Sequence, residues 1–141
     1  MGQPAAQATR QATPLLLRSA VYFVFWVILA GTAPKELFFA PKLGIERILA
    51  KNGLTVDQID LFEINEAFAG QVLVDIKPLG IPESKLNICG GGVALGHPIG
   101  ASGARVLVTL VHQLQRTGGK RGICSLCLGG GNAVTMLVEM C

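Results

Sequence analysis

Apolar and polar positions recur along the chain at two periods, one helical and one that of pleated strands. Between Pro41 and Asn52, Leu43, Ile45, Ile48 and Leu49 sit against Lys42, Glu46, Arg47 and Lys51. That pattern predicts an amphipathic helix, opened by Pro41 and stopped by Asn52-Gly53. Thr55-Val-Asp-Gln58 has the form of a capping box, which opens one further turn. Ile59 to Ile64 reads as a short strand. Asn65-Glu-Ala-Phe-Ala reads as the start of a helix that reaches about Lys77, where Pro78 and Gly80 end it. Residues 87–100 form a glycine-rich loop. Ala101, Ala104, Leu107, Val108, Val111 and Leu114 then return at helical spacing, with Gly118-Gly119 as terminator. Two runs rich in β-formers close the chain, Gly122–Leu128 and Ala133–Glu139, with Gly129-Gly-Gly-Asn132 between them as a hairpin turn. Helices alternating with strands and a closing hairpin predict an α/β fold, a mixed sheet packed against helices.

The run Ala20-Val-Tyr-Phe-Val-Phe-Trp-Val-Ile-Leu-Ala-Gly31 admits three readings. It is short for a membrane span, which needs ~20 apolar residues. A secretory signal accepts that length, and Ala30-Gly-Thr-Ala33 resembles a cleavage site. The third reading is a strand buried on both faces, since Val, Ile, Phe, Tyr and Trp pack well on a pleated sheet. Upstream, residues 1–19 carry Arg10 and Arg18 and no acid, the first acid being Glu36. Such a start suits a disordered tail or an organellar targeting segment, leaving residues 20–141 as one domain.

Composition narrows the function classes. Hydrophobic residues make up 50% of the chain and charged ones 15%, which excludes intrinsic disorder. Twelve basic residues against nine acidic ones, with no dense Lys/Arg run, leave no footprint for nucleic acid. Four cysteines are too few for a disulfide framework at this length and point to a reducing compartment. Cys124 and Cys127 have C-x-x-C spacing, but His97 and His112 do not supply a second ligand pair, so no metal site is expected. Twelve of the 18 glycines lie between Gly90 and Gly131, which suggests loops shaped around a ligand.

Three segments placed at strand ends or helix starts carry candidate chemistry: Asn65-Glu66-Ala67-Phe68-Ala69, Gly96-His97-Pro98 and Cys127-Leu128-Gly129-Gly130-Gly131. Each has a plain alternative. Asn65 could cap its helix, His97 could be a loop histidine, Cys127 could be a small buried hydrophobe, and the glycines could serve the turn alone.

The order Asn-Glu-Ala-Phe, Gly-Gly-x-x-Ala-x-Gly-His-Pro-x-Gly and Cys-x-Gly-Gly-Gly is similar to the C-terminal half of the thiolases, the acyl-CoA C-acetyltransferases. The resemblance covers roughly Ala30 to Val138. In that family the half-domain begins with a strand ending in Ala-Gly, so Ala30-Gly31 favours the strand reading. It implies an acyltransferase that cleaves or forms 3-ketoacyl-CoA, a thioester of fatty acid metabolism. Coenzyme A would be substrate or product, and no cofactor would be bound covalently.

The resemblance also implies roles. The histidine matching His97 activates a nucleophilic cysteine carried by the other half, because the thiolate is the reactive form. The cysteine matching Cys127 moves a proton at the α-carbon of the second acyl group. The asparagine matching Asn65 holds a water that, with His97, stabilises an enolate oxygen. The backbone N–H of Gly129 contributes to a second oxyanion hole. Phe68, Gly96, Pro98 and Gly130 line the substrate, with Phe68 either beside the pantetheine arm or in the core.

The match is partial. No cysteine precedes Cys89, which stands in the glycine loop where the family usually has asparagine. The chain alone is therefore expected to be inactive. It is also expected to leave an apolar face uncovered and to self-associate or pair with a chain supplying the N-terminal half. A non-catalytic assembly or CoA-binding subunit, and a protein anchored to a membrane through residues 14–31, are the alternatives, the membrane being disfavoured. The expected compartment is the cytoplasm, or the mitochondrion if the N-terminus is a targeting segment.

Overall fold

The computed structural model describes residues 23–140, with the side chains of residues 23–25 left aside. The tail expected over residues 1–19 therefore lies outside it. Four strands form one mixed sheet in the order β1-β4-β3-β2 (β1 Phe23–Gly31, β2 Leu61–Ile64, β3 Arg121–Leu128, β4 Asn132–Met140). β1 and β3 each pair antiparallel with β4, and β2 runs parallel to β3. The C-terminal ends of β1, β2 and β3 thus open on one edge of the sheet.

Helix α1 (Ala40–Asn52) lies across one face, buried through Ala40, Gly44, Ile45, Ile48 and Leu49. Helix α2 (Ala69–Leu79) packs beside it. Ile45, Ile48, Ile59, Phe62, Ile64, Ile76, Ile123 and Leu137 make one core there. Each such side chain contributes about 1.5–3 kcal/mol by leaving water. The short helix α3 (Gly92–Leu95) sits within the glycine loop, and α4 (Ser102–Thr117) covers the other face over β2 and β3. Gly53, Gly80 and Gly118 close α1, α2 and α4 in the left-handed conformation. The capping box at Thr55 and Gln58 is formed, around one 3-10 turn.

Several expectations are corrected. β2 begins at Leu61, not Ile59. Residues 65–68 are not the first turn of α2, because Phe68 is extended (φ −146°, ψ 144°) and holds the N-cap position. Pro78 lies inside the last turn of α2, where few helix hydrogen bonds remain to be lost. On α4 the buried stripe is Ser102, Val106, Leu110 and Leu114, while Ala104 and Val108 face outward. The strand reading of the apolar run holds from Phe23 onward, but not its burial on both faces. α1 covers Trp26, Ile28 and Ala30, while Val27 and Leu29 on the α4 side are 51% and 72% exposed. α4 reaches only as far as β4, so the outer strand is left bare on that face. Among the described residues, no helix is long and apolar enough to cross a membrane.

Candidate active site

Asn65 follows β2 directly, and its backbone N–H donates to the Ser125 carbonyl at 2.9 Å, beside the end of β3. Its side chain is buried, and Nδ2 has no hydrogen-bond partner among the described residues. An unpaired amide donor costs about 1–3 kcal/mol, a cost that an oxygen held here would remove. The reading of Asn65 as the helix cap fails, since α2 starts four residues later.

The second segment is held by α4. Gly96 has φ 87°, and its carbonyl accepts from Arg105 Nη1 at 2.7 Å. The Pro98 carbonyl accepts from the N–H groups of Ala101 and Ser102. His97 Nδ1 lies 2.6 Å from Ser102 Oγ, a bond that fixes the plane of an otherwise exposed ring. Nε2 has no partner among the described residues and is the nitrogen free to act. The first turn of α4 is tied to β3, because a Cβ on Gly103 would lie 3.7 Å from Leu126 Cδ1.

Cys127 pairs with Ala133 near the end of β3 and is half-buried. Burial pushes its thiol pKa up, with Asp75 adding to the shift and the residue's own backbone N–H opposing it. Leu126 and Gly122 meet α4, whereas Ser125 reaches Thr135 on the α1 side, so strand alternation puts Cys127 on the α1 face. Cys124 takes the opposite face and is buried against α4. The C-x-x-C pair therefore cannot chelate one ion. No cluster of His, Cys, Asp and Glu among the described residues has the makings of a metal site.

Gly129, Gly130 and Gly131 link β3 to β4 as the expected hairpin loop. Gly130 and Gly131 have φ of 81° and 86°, and a Cβ on Gly131 would lie 2.6 Å from the Thr32 carbonyl. Glycine at these two positions serves the turn. Around Gly129 there is open space, and its φ lies outside the left-handed region, so nothing in the chain itself demands glycine there. Phe68 is 63% exposed and meets Phe38 edge-on at 5.5 Å, so the core reading of Phe68 is overturned.

Asn65, His97, Cys127 and Gly129 thus stand along one edge of the sheet, at the ends of β2 and β3 and the start of α4. His97 and Cys127 approach that edge from different faces, and no hydrogen bond joins them among the described residues. Two cavities of about 470 and 370 Å³ are lined by other residues. Cys89 is exposed in the loop before Gly90.

Two acids were not legible in the sequence as buried groups. Glu63 on β2 is 4% exposed and faces α4 beside Cys124; burial pushes its pKa from 4.5 to about 7, Glu66 adds to this and Arg105 opposes it. Asp75 is fully buried, accepting from Gln71 Nε2 and from the Lys42 N–H near the start of α1; burial raises it from 3.8 to about 6 against those bonds. Both hold a proton in the folded chain at pH values where the unfolded chain has lost it. Stability therefore falls as pH rises from about 4 to 7, by at most about 3–3.5 kcal/mol for each group. Urea unfolding at pH 5 and pH 8 should show the lower midpoint at pH 8, and Glu63→Gln should narrow the difference; equal midpoints would exclude this linkage.

The sequence from residue 19 to 140 matches the family model for the thiolase C-terminal domain. The chain belongs to the thiolase family. It is 46% identical to the cytosolic acetyl-CoA acetyltransferase of Mus musculus over 129 residues, 92% of this chain and 32% of that one. Among solved structures, it is similar to the Bacillus anthracis acetyl-CoA acetyltransferase, with a TM-score of 0.81 and 43% identity over 86% of this chain and 30% of that one. Human mitochondrial 3-ketoacyl-CoA thiolase gives the same TM-score at 39% identity and the same coverage. The chain therefore spans about a third of the length of these thiolases.

Proposed function

We propose that this chain is the second catalytic half of a thiolase that cleaves or forms 3-ketoacyl-CoA, with coenzyme A as substrate or product. The observation that carries the reading is the buried Asn65 amide with an unspent donor, on the same strand edge as His97 and Cys127. Asn65 holds a water or the thioester oxygen in its enolate form, and the imidazole of His97 offers Nε2 to the same oxygen. His97 also takes the proton of the nucleophilic thiol. Cys127, kept protonated by burial, donates to the α-carbon as the bond to the acyl group breaks; in condensation it takes that proton back. The Gly129 N–H faces the acyl oxygen, with Gly130, Gly96, Pro98 and the exposed Phe68 as the walls of the thioester path.

The nucleophilic cysteine comes from the part of a thiolase that this sequence does not match, on a longer chain or a separate one. The bare face at Val27, Leu29 and Val108 is where that part, or a second copy, packs. Free thiols at Cys89, Cys124 and Cys127 suit the cytoplasm.

The test is to mix the chain with a separately expressed nucleophile-bearing half of an acetyl-CoA acetyltransferase and to add acetoacetyl-CoA and CoA. Neither component alone should release acetyl-CoA, while the mixture should. Light scattering should show the chain alone above 14.8 kDa. Turnover by the chain alone would remove the need for a partner. Stable pairing without turnover would mark it as an assembly or CoA-binding subunit.

A further inference from the structure

Glu66 is half-buried at the sheet edge and joins two segments that are distant in sequence. Its Oε1 accepts from Asn87 Nδ2 at 2.8 Å and its Oε2 from the Val93 N–H at 2.9 Å, inside the glycine loop. Asn87 in turn clasps β2: Oδ1 accepts from the Ile64 N–H and Nδ2 donates to the Ile64 carbonyl, both at 2.9 Å. It does so at φ 42°, the only non-glycine residue with positive φ among those described. The loop is shaped around the carboxylate. A Cβ on Gly91 would lie 2.5 Å from Glu66 Cδ, and one on Gly92 would lie 2.7 Å from the Glu66 carbonyl. Two glycines thus let the loop close on Glu66 from both sides. Val93 lies in the single turn of α3, which runs to Leu95 with Gly96 as its cap, so the segment held by Glu66 leads directly into His97.

We infer that Glu66 is a positioning residue that sets the spacing between the Asn65 amide and the His97 ring by locking residues 87–96 onto the strand end. The inference rests on the thiolase reading for its purpose, but its physical content belongs to the chain alone. Asn65 is the neighbour of Glu66 in sequence, and His97 is the neighbour of Gly96, so a carboxylate bonded to both segments fixes two groups that no direct bond joins. Neither bond requires a substrate, and both are made between groups twenty or more residues apart.

The full chain, labelled with ¹⁵N, is compared with its Glu66→Ala and Glu66→Gln variants by NMR. In Glu66→Ala the Val93–Gly96 amides should exchange about tenfold faster or more, and the His97 ring nitrogen resonances should move. The amides of α1 and of the β3–β4 hairpin should stay where they are. Glu66→Gln keeps an acceptor for Asn87 but turns an NH₂ toward the Val93 N–H, so it should fail to restore the His97 resonances. If Glu66→Ala does not fold, Gly91→Ala presses on the same carboxylate from the loop side and should shift the same resonances. In the mixture with a nucleophile-bearing half, Glu66→Ala should lower kcat about 10–100-fold with KM within about twofold, the mark of misplaced groups. Unchanged loop exchange and His97 resonances in the variants overturn the clamp. A wild-type mixture without turnover overturns the thiolase reading instead, and leaves the NMR result to decide the clamp by itself.

Discussion

Replacing Gly44 by alanine should destabilise the chain by about 1–2 kcal/mol, an overpacking cost of up to about 3 kcal/mol less the roughly 1 kcal/mol that helix propensity alone would gain. At Gly44, α1 passes close against β4 of the sheet. A Cβ there would stand 2.1 Å from Thr135 Oγ1 and 3.1 Å from Thr135 Cβ. Thr135 cannot turn away freely. It is fully buried, and its hydroxyl is bonded to Ser125 Oγ at 2.7 Å, so rotation would cost it that partner away from water and leave Ser125 with only its 3.4 Å bond to the Val134 carbonyl. The alternative is for α1 to lift, which loosens Ile45 and Ile48, both fully buried. Urea unfolding followed by circular dichroism should give a lower midpoint for Gly44→Ala. The pair Gly44→Ala with Thr135→Ala should recover part of the loss, because the clashing oxygen is gone. An unchanged or higher midpoint for the single variant would show that propensity outweighs packing at this contact.

This contact was invisible to the periodicity that found α1. The pattern of Ile45, Ile48 and Leu49 identified both the helix and its buried side, since charged residues fill the rest of its surface. On α4 the same reasoning found Leu114 and the flanking Leu107 and Val111, which pack against the core, but took in the outward-facing Ala104 and Val108 and missed Val106 and Leu110. Val106, Leu110 and Leu114 face the sheet, but Leu107, Val108 and Val111 are apolar too, and periodicity cannot choose between two adjacent apolar stripes. Val108 is the part of that second stripe left bare, as are Val27 and Leu29 on the same side of β1. A sequence records what an element is able to cover, whether or not the covering layer is in the same stretch of chain.

The site divides along the same line. The hairpin loop and the glycine loop were legible because backbone conformations with positive φ leave a mark in composition, as at Gly96, Gly130 and Gly131. The motif order brought Asn65, His97 and Cys127 forward through resemblance, not through any pattern of spacing. What stayed hidden were bonds between distant segments. Asn65 reads as a helix start until Glu66 is seen holding Asn87 and Val93, contacts made before the chain enters α2 at its Phe68 cap. Glu63 and Asp75 carry no mark of burial in the sequence, and only the packing of α4 and α1 makes them buried.

His97→Ala should cut thioester cleavage by the chain paired with a nucleophile-bearing half about 10³-fold, within the 10²–10⁴ range of a lost acid–base group. Among the described residues the ring makes one hydrogen bond, through Nδ1 to Ser102 Oγ, and it is otherwise exposed, so its removal should change the unfolding free energy by no more than about 0.5 kcal/mol. That separation of effects is what distinguishes a working imidazole from a structural one. Ser102→Ala offers the graded control. It removes the partner that fixes the ring plane while leaving Nε2 in place, and should cost less than His97→Ala, on the order of tenfold. Because Ser102 is buried and also bonds the Pro98 carbonyl, this variant should lose some stability as well. Cleavage rates and unfolding midpoints measured on the same preparations settle the order. If His97→Ala keeps the rate while Ser102→Ala loses it, the imidazole is a prop for the loop, and the proton transfers assigned to it belong to another group.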